Sequence, residues 1–159
     1  MTGPNPTDRA KSGTAIHLAT EGHGLPLGVA VTGANANEGK QVPDVFASLV
    51  VAPPPPETPT RSADRRDLPR VRADGGYGNE PTRQRGQDAG HRIVAPSRGQ
   101  TKKPGFGRVR CAVERGHAWL SQFGRIARRL DRSAKRYLGW VQLACAIIFG
   151  RHEANGFVR

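Results

Sequence analysis

Leu68-Pro69-Arg70-Val71-Arg72-Ala73-Asp74-Gly75-Gly76-Tyr77 is a short β-prone run that ends in an Asp-Gly-Gly turn. Leu68 to Asp74 predicts a strand, the polar stretch Asn79 to Ala89 an exposed helix, and His91 to Ala95 a second short strand. Upstream, Ala15–Thr20 and Leu27–Thr32 are β-prone runs joined by a Glu-Gly-His-Gly-Leu-Pro linker, which predicts a hairpin. Two strands alone are marginal in water, so the hairpin needs a partner layer. Val42, Val45, Phe46 and Leu49 have helical spacing and predict a first helix over Val42–Val51. Downstream, Val109, Val113, Gly116, Leu120 and Phe123 mark an amphipathic helix, with Arg110, Glu114, His117 and Ser121 on a neighbouring face. The last helix, Ser133 to Phe149, is apolar nearly all round and is expected to pack into the core, with Ser133 capping its start and Gly150 its end. Thr2 to Gly13 and residues 52–67, with Pro53 to Pro56, read as loops. Hairpin, helix, strand, helix, strand, helix, helix is the order of a mixed α/β domain.

The chain has 159 residues, the size of one domain with a modest core. Its formal charge of +12 is unevenly spread. Met1 to Glu57 carries three basic and five acidic residues, whereas Thr58 to Arg159 carries twenty-two and eight. Lys102 to Arg159 alone holds thirteen basic and three acidic residues, enough to grip a polyanion through its backbone. An Arg-rich surface without a nucleic-acid role has the same composition. Cys111 and Cys145 have neither CxxC nor Cys/His spacing and read as small core residues. The longest apolar run, Trp140 to Phe149, is about half of the roughly 20 residues a membrane span requires, and the N-terminus has no signal-peptide pattern. A soluble, cytoplasmic chain without membrane partners is the expectation.

Asp74 at a strand end and Glu114 on a helix 40 residues later are the carboxylates of interest. Phosphoryl transfer assisted by two divalent ions needs converging hard oxygen ligands, at least two and preferably three carboxylates. Spacing alone leaves plainer roles open: Asp74 as the start of a Gly-rich turn, Glu114 as an i−4 partner of Arg110. His17, His23, His91 and His117 show no paired ligand spacing and read as structural or surface residues.

Several segments in order resemble the insertion-sequence-five-like branch of the DDE transposases. Thr2-Gly-Pro-Asn-Pro-Thr-Asp-Arg9 is similar to that family's loop before a Gly-Ser-Lys-x-His-Leu strand, here Gly13-Thr-Ala-Ile-His17-Leu18. Gly24-Leu-Pro-Leu-Gly-Val-Ala-Val-Thr-Gly-Ala-Asn35 resembles the next strand and turn. Ala73-Asp74-Gly-Gly76-Tyr77 resembles Ala-Asp-Arg-Gly-Tyr-Asp, whose Asp is the second of the catalytic triad. Gly107-Arg-Val-Arg110-Cys-Ala-Val-Glu114-Arg115 with Ala118-Trp119-Leu120 resembles the helix that bears the triad's Glu. The resemblance covers nearly the whole chain. It implies an RNase H-like α/β fold, a mixed sheet with flanking helices, as one partial DDE catalytic domain over residues 1–159. It implies Mg2+ or Mn2+ held by catalytic Asp74 and Glu114, and DNA partners in the form of terminal inverted repeats and target DNA. A homo-oligomer is left open. Arg108, Arg110 and Arg115, which flank Glu114, are expected to bind DNA phosphate.

The resemblance also has gaps. No residue matches the family's first catalytic Asp on the central first strand, and Asp8 belongs to the preceding-loop motif instead. The chain is expected to lack that strand through truncation or a misassigned start, and to catalyse no strand transfer as written. Ala15, Gly75, Gly78 and Glu38 replace a usual Lys, basic residue, Asp and Asp. Two further readings stand beside the transposase: a non-catalytic basic DNA-binding remnant of such a gene, and an RNA-binding protein of ribosomal type.

Overall fold

The computed structural model describes residues 2–5, 9, 11–51, 68–96 and 106–154, the side chains of 106–110 excepted. Asp8 and the Pro53 to Pro56 stretch lie outside the described residues.

The hairpin forms where the β-prone runs predict it, over longer spans. Strand β2 (Ser12–Thr20) pairs antiparallel with β3 (Pro26–Gly33), Ile16 opposite Val31 and Leu18 opposite Val29. A two-residue strand β1 (Gly3–Pro4) pairs with Ser12 and Gly13, so part of the segment expected to be loop joins the sheet edge. The connecting turn is tied by Glu21, whose carboxylate accepts the backbone N–H of His23 (2.6 Å) and of Leu25 (2.9 Å). Burial of Glu21 favours the protonated acid, but those two N–H groups and the His23 ring outweigh it and hold its pKa below the ordinary value.

Period-two alternation gives the hairpin two faces with different partners. Ile16, Leu18, Val29 and Val31 turn toward helices α3 (Phe106–Ser121), α4 (Gly124–Ala127) and α5 (Ala134–Ala154). Leu25, Val29, Leu120, Ile126, Tyr137, Val141, Ala144 and Ile148 form the core there. Leu120 and Val141 are 1% and 0% exposed, and each such side chain contributes about 1.5–3 kcal/mol by leaving water. The Tyr137 hydroxyl, buried with them, donates to the Ile126 carbonyl at 3.0 Å.

The opposite face carries Gly28, Ala30 and His17 and is covered by α1 (Val42–Ala47) through Val42 and Val45. Gly28 is required here because a Cβ would lie 2.7 Å from the Val45 carbonyl oxygen. α1 is shorter than predicted: its backbone leaves the helix after Ala47, where the Ser48 hydroxyl donates to Val45 O (2.7 Å) and accepts from Val29 N–H (2.8 Å). His17 is buried, its Nε2 2.7 Å from the Thr32 hydroxyl, in keeping with a structural role.

Strands β4 (Arg70–Arg72) and β5 (Arg92–Val94) pair in parallel, connected by α2 (Glu80–Asp88). Arg70 faces Arg92 and Arg72 faces Val94. α2 lies close on β5 because residue 86 is glycine: a Cβ there would lie 2.7 Å from the Ile93 side chain. The fold class is therefore mixed α/β, but among the described residues the strands form two sheets, β1-β2-β3 and β4-β5. α1 spans both units, stacking Phe46 on His91 with ring centroids 4.3 Å apart.

Three expectations need correction. α5 continues through Gly150 to Ala154, so Gly150 does not end it. The helix is also buried on one side only. Tyr137, Val141, Ala144 and Ile148 face the core, while Trp140, Leu143 and Ile147 are 37%, 50% and 36% exposed, because the hairpin, α3 and α4 all pack against the same side. Cys111 lies exposed on α3, on the turn facing away from the buried Ala112, and only Cys145 is partly buried, which pushes its thiol pKa up to about 11. No helix among the described residues is long and apolar enough to cross a membrane.

Candidate active site

Asp74 follows the carboxyl end of β4. Strand pairing lasts one residue past β4, where Ala73 N–H bonds to Val94 O at 3.1 Å. Asp74 then adopts an extended backbone and caps the 3-10 turn Gly75–Tyr77, its Oδ1 accepting the Gly76 N–H at 2.8 Å. Loops beyond the carboxyl ends of parallel strands are where α/β folds bind ligands. The Asp74 side chain is exposed, so Asp74 fills both the turn-starting role and a position open to a ligand.

A second carboxylate reaches the same turn. Glu38 opens the 3-10 helix Glu38–Gln41, between the hairpin and α1. A methyl group on Gly76 would lie 3.1 Å from Asp74 Oδ1 and 3.3 Å from Glu38 Oε2, so both acids approach the same side of that residue. The approach is built locally. Asn79 caps α2, its Oδ1 accepting the N–H of Thr82 at 3.0 Å and the Thr82 hydroxyl at 2.7 Å. Thr82, 1% exposed, packs against Gly39 so closely that a Cβ on the glycine has no room. Gly39 thus places its neighbour Glu38 beside Asp74. The phenol of Tyr77 has its pKa pushed up to about 12, first by burial and then by the negative charges of Glu38 and Asp74. The sequence marks Glu38 only as standing where Asp is usual in similar chains, and nothing in its spacing to Asp74 announces the juxtaposition.

Glu114 is carried by α3, docked against the hairpin turn. Ala112, Gly116 and Leu120 form its buried stripe, and Glu114 lies exposed to one side. The docking is close: a Cβ on Gly116 would lie 2.9 Å from both Gly24 O and the Leu18 side chain. Arg115 anchors it, donating to the His23 carbonyl at 2.9 Å. Arg115 therefore has a structural bond as well as an exposed surface position, while the side chains of Arg108 and Arg110 lie outside the described residues.

Hard carboxylate oxygens suit Mg2+ or Mn2+. Among the described residues, however, no three His, Cys, Asp or Glu side chains converge to hold a metal ion. Asp74 with Glu38 supplies an acidic pair, and Glu114 comes from a separate element, so these residues do not by themselves assemble a complete two-metal centre.

The mixed α/β chain thus carries one carboxylate just past a parallel strand end and another on a long helix. The chain matches the family model described as "Transposase DDE domain" over residues 2–149, and it belongs to that family. It is 38% identical over 150 residues to the "Putative transposase for insertion sequence element IS402" of Burkholderia cepacia, an alignment that covers 92% of this chain and 67% of the relative. No solved structure matches the chain significantly.

Proposed function

We propose that the chain acts on DNA as part of an insertion-sequence transposase, with Asp74 and Glu114 as two of the carboxylates that hold divalent metal for DNA cleavage and strand transfer. The observation that carries this reading is the position of Asp74, exposed just past the end of a parallel strand with Glu38 beside it, in a chain of the DDE family. The metal would activate the attacking oxygen and neutralise developing charge. The Asp74 carboxylate is held in one orientation by the Gly76 N–H on Oδ1, and its Oδ2 takes no part in that bond, which supports the reading.

The two sheets fit an RNase H-like arrangement divided at its centre. β2–β3 and β4–β5 are its halves, the strand that would join them is not among the described residues, and residues 1–159 belong to one DDE catalytic domain. With two of three family carboxylates matched, these 159 residues bind DNA in the cytoplasm and perform no strand transfer. The second reading, a non-catalytic DNA-binding remnant, is favoured by the same lack of a three-residue metal cluster among the described residues.

The test is incubation of the purified chain with plasmid and labelled element-end duplex in Mn2+. Salt-dependent binding without nicking or strand transfer is expected. Nicking abolished by both Asp74→Ala and Glu114→Ala would show a working centre and overturn the inactivity, and absence of any DNA binding would overturn the function itself.

A further inference from the structure

Between Arg125 and Arg136, six of twelve residues are basic, Arg125, Arg128, Arg129, Arg132, Lys135 and Arg136, and only Asp131 is acidic. This stretch runs from within α4, through the α4–α5 connector, into the first turn of α5, and one of its cations has a structural task. The Arg129 guanidinium donates to Asp131 O (2.9 Å), Arg132 O (3.4 Å) and the Thr14 hydroxyl on β2, and lies over the Tyr137 ring at 5.1 Å. With its donors directed inward, Arg129 pins the connector to the hairpin.

The other five are exposed. Arg125 is held in a defined orientation, its guanidinium 4.6 Å from the centre of the Trp140 ring. Asp131 neutralises none of them: among the described residues it makes no ion pair, and its Oδ2 is buried without a hydrogen-bond partner. Five exposed cations within twelve residues, on a stretch braced from beneath, create a local positive potential that attracts a polyanion.

We propose that the α4–α5 connector, through Arg125, Arg128, Arg132, Lys135 and Arg136, is a docking surface for the phosphate backbone of duplex DNA, on a different element from Asp74 and Glu114. The inference rests on DNA being the chain's substrate and adds where the duplex is gripped. The surface reads no sequence, since exposed guanidinium and ammonium groups engage phosphates whatever the bases.

The test is fluorescence anisotropy of the full chain with a mixed-sequence duplex of about 30 base pairs, from about 50 to 200 mM salt. Two triple variants remove equal charge: Arg128→Gln/Arg132→Gln/Arg136→Gln on the connector, and Lys40→Gln/Arg85→Gln/Arg151→Gln elsewhere. The connector triple is expected to lower the slope of log affinity against log salt by about 2–3, near 0.9 for each phosphate no longer neutralised, and to weaken low-salt binding at least about tenfold. The control triple is expected to change both much less. Equal losses in the two triples, or none in the connector triple, refute the surface while leaving DNA as substrate. No salt-dependent binding by the unaltered chain refutes both, and tighter binding of single-stranded RNA refutes the partner. Should the connector triple fail to fold, the unaltered protein still decides: bound duplex must protect Lys135 from acetylation more than Lys40, and equal protection overturns the proposal.

Discussion

Gly75 and Gly78 both stand where similar chains carry larger residues, and both face Pro96, yet the structure predicts opposite responses to substitution. Gly78 is buried with φ −79° and ψ 11°, a backbone open to any residue, so its requirement is spatial rather than conformational. A methyl there would overlap the Pro96 carbonyl oxygen and lie 2.8 Å from its carbon. Relief requires the turn or the end of β5 to move, and the latter is held by Arg83 donating to Ala95 O at 3.2 Å. Overpacking of this kind costs about 1–3 kcal/mol. The entropy that Gly→Ala removes from the unfolded chain returns about 0.4–1 kcal/mol. Gly78→Ala should therefore destabilise by about 1–2 kcal/mol, lowering Tm by about 2–8 °C for a domain of this size. At Gly75 the added methyl would sit 3.7 Å from the same oxygen, an ordinary contact, and the variant should melt within about 2 °C of the parent. Thermal unfolding followed by circular dichroism compares the three proteins directly. If Gly78→Ala melts with or above Gly75→Ala, Pro96 does not crowd the turn and the spatial account is wrong.

Other consequences can be measured as readily. Leu120→Ala removes a 1%-exposed side chain from the meeting of α3, α4 and α5 and should cost about 3–5 kcal/mol, read from the urea midpoint; a loss under about 1 kcal/mol would place Leu120 outside a packed core. His17 and His117 both have pKa values below the ordinary 6.5, each first through burial; at His17 the nearby His117 lowers it further, against a smaller opposing effect of Asp44. The folded state then binds fewer protons than the unfolded one, so stability is full above about pH 6.5 and falls as pH drops below it. His17→Gln/His117→Gln should flatten that decline, and an unchanged pH profile would remove these histidines as its cause. For Tyr77, absorbance titration should show a phenol ionising near 12, with Glu38→Gln and Asp74→Asn each lowering it but leaving it above the ordinary value of 10, because burial is the larger cause. A phenol unmoved by both substitutions would separate Glu38 and Asp74 from this turn.

The elements legible in the sequence are those whose own residues decide them. The hairpin follows from two β-prone runs around a Gly- and Pro-containing linker, and α3 from its apolar spacing, although that spacing runs on to Phe123 whereas the helix ends at Ser121. Asp74 is readable because an Asp beside glycines at a strand end announces a capped turn, which the Gly76 N–H bond confirms. What escapes such reading depends on neighbours distant in sequence. α4, four residues long, is too short for any period to register. The one-sided burial of α5 is fixed by which neighbours pack on it, and its own residues are apolar on the exposed side too, at Trp140, Leu143 and Ile147. Glu38 carries no local mark of its place beside Asp74, since the link passes through Gly39, Thr82 and Asn79.

That linkage bears on how the carboxylates are held. Asp74 caps a three-residue 3-10 turn and Glu38 opens a four-residue one, so neither lies within a long helix or a central strand. Such segments have little intrinsic stability, so the position of each acid is set by neighbouring packing. Three glycines at which a side chain would crowd its neighbours, Gly39, Gly76 and Gly78, supply that packing in one small region. Two like charges that both reach the Cβ side of Gly76 repel, and a divalent cation between them would remove the repulsion while bonding oxygen from each. Ligation should therefore tighten both turns together, and Mn2+ should raise the Tm of the parent more than that of Asp74→Asn. Equal shifts in the two proteins would show that the ion binds elsewhere and that Asp74 serves the fold alone.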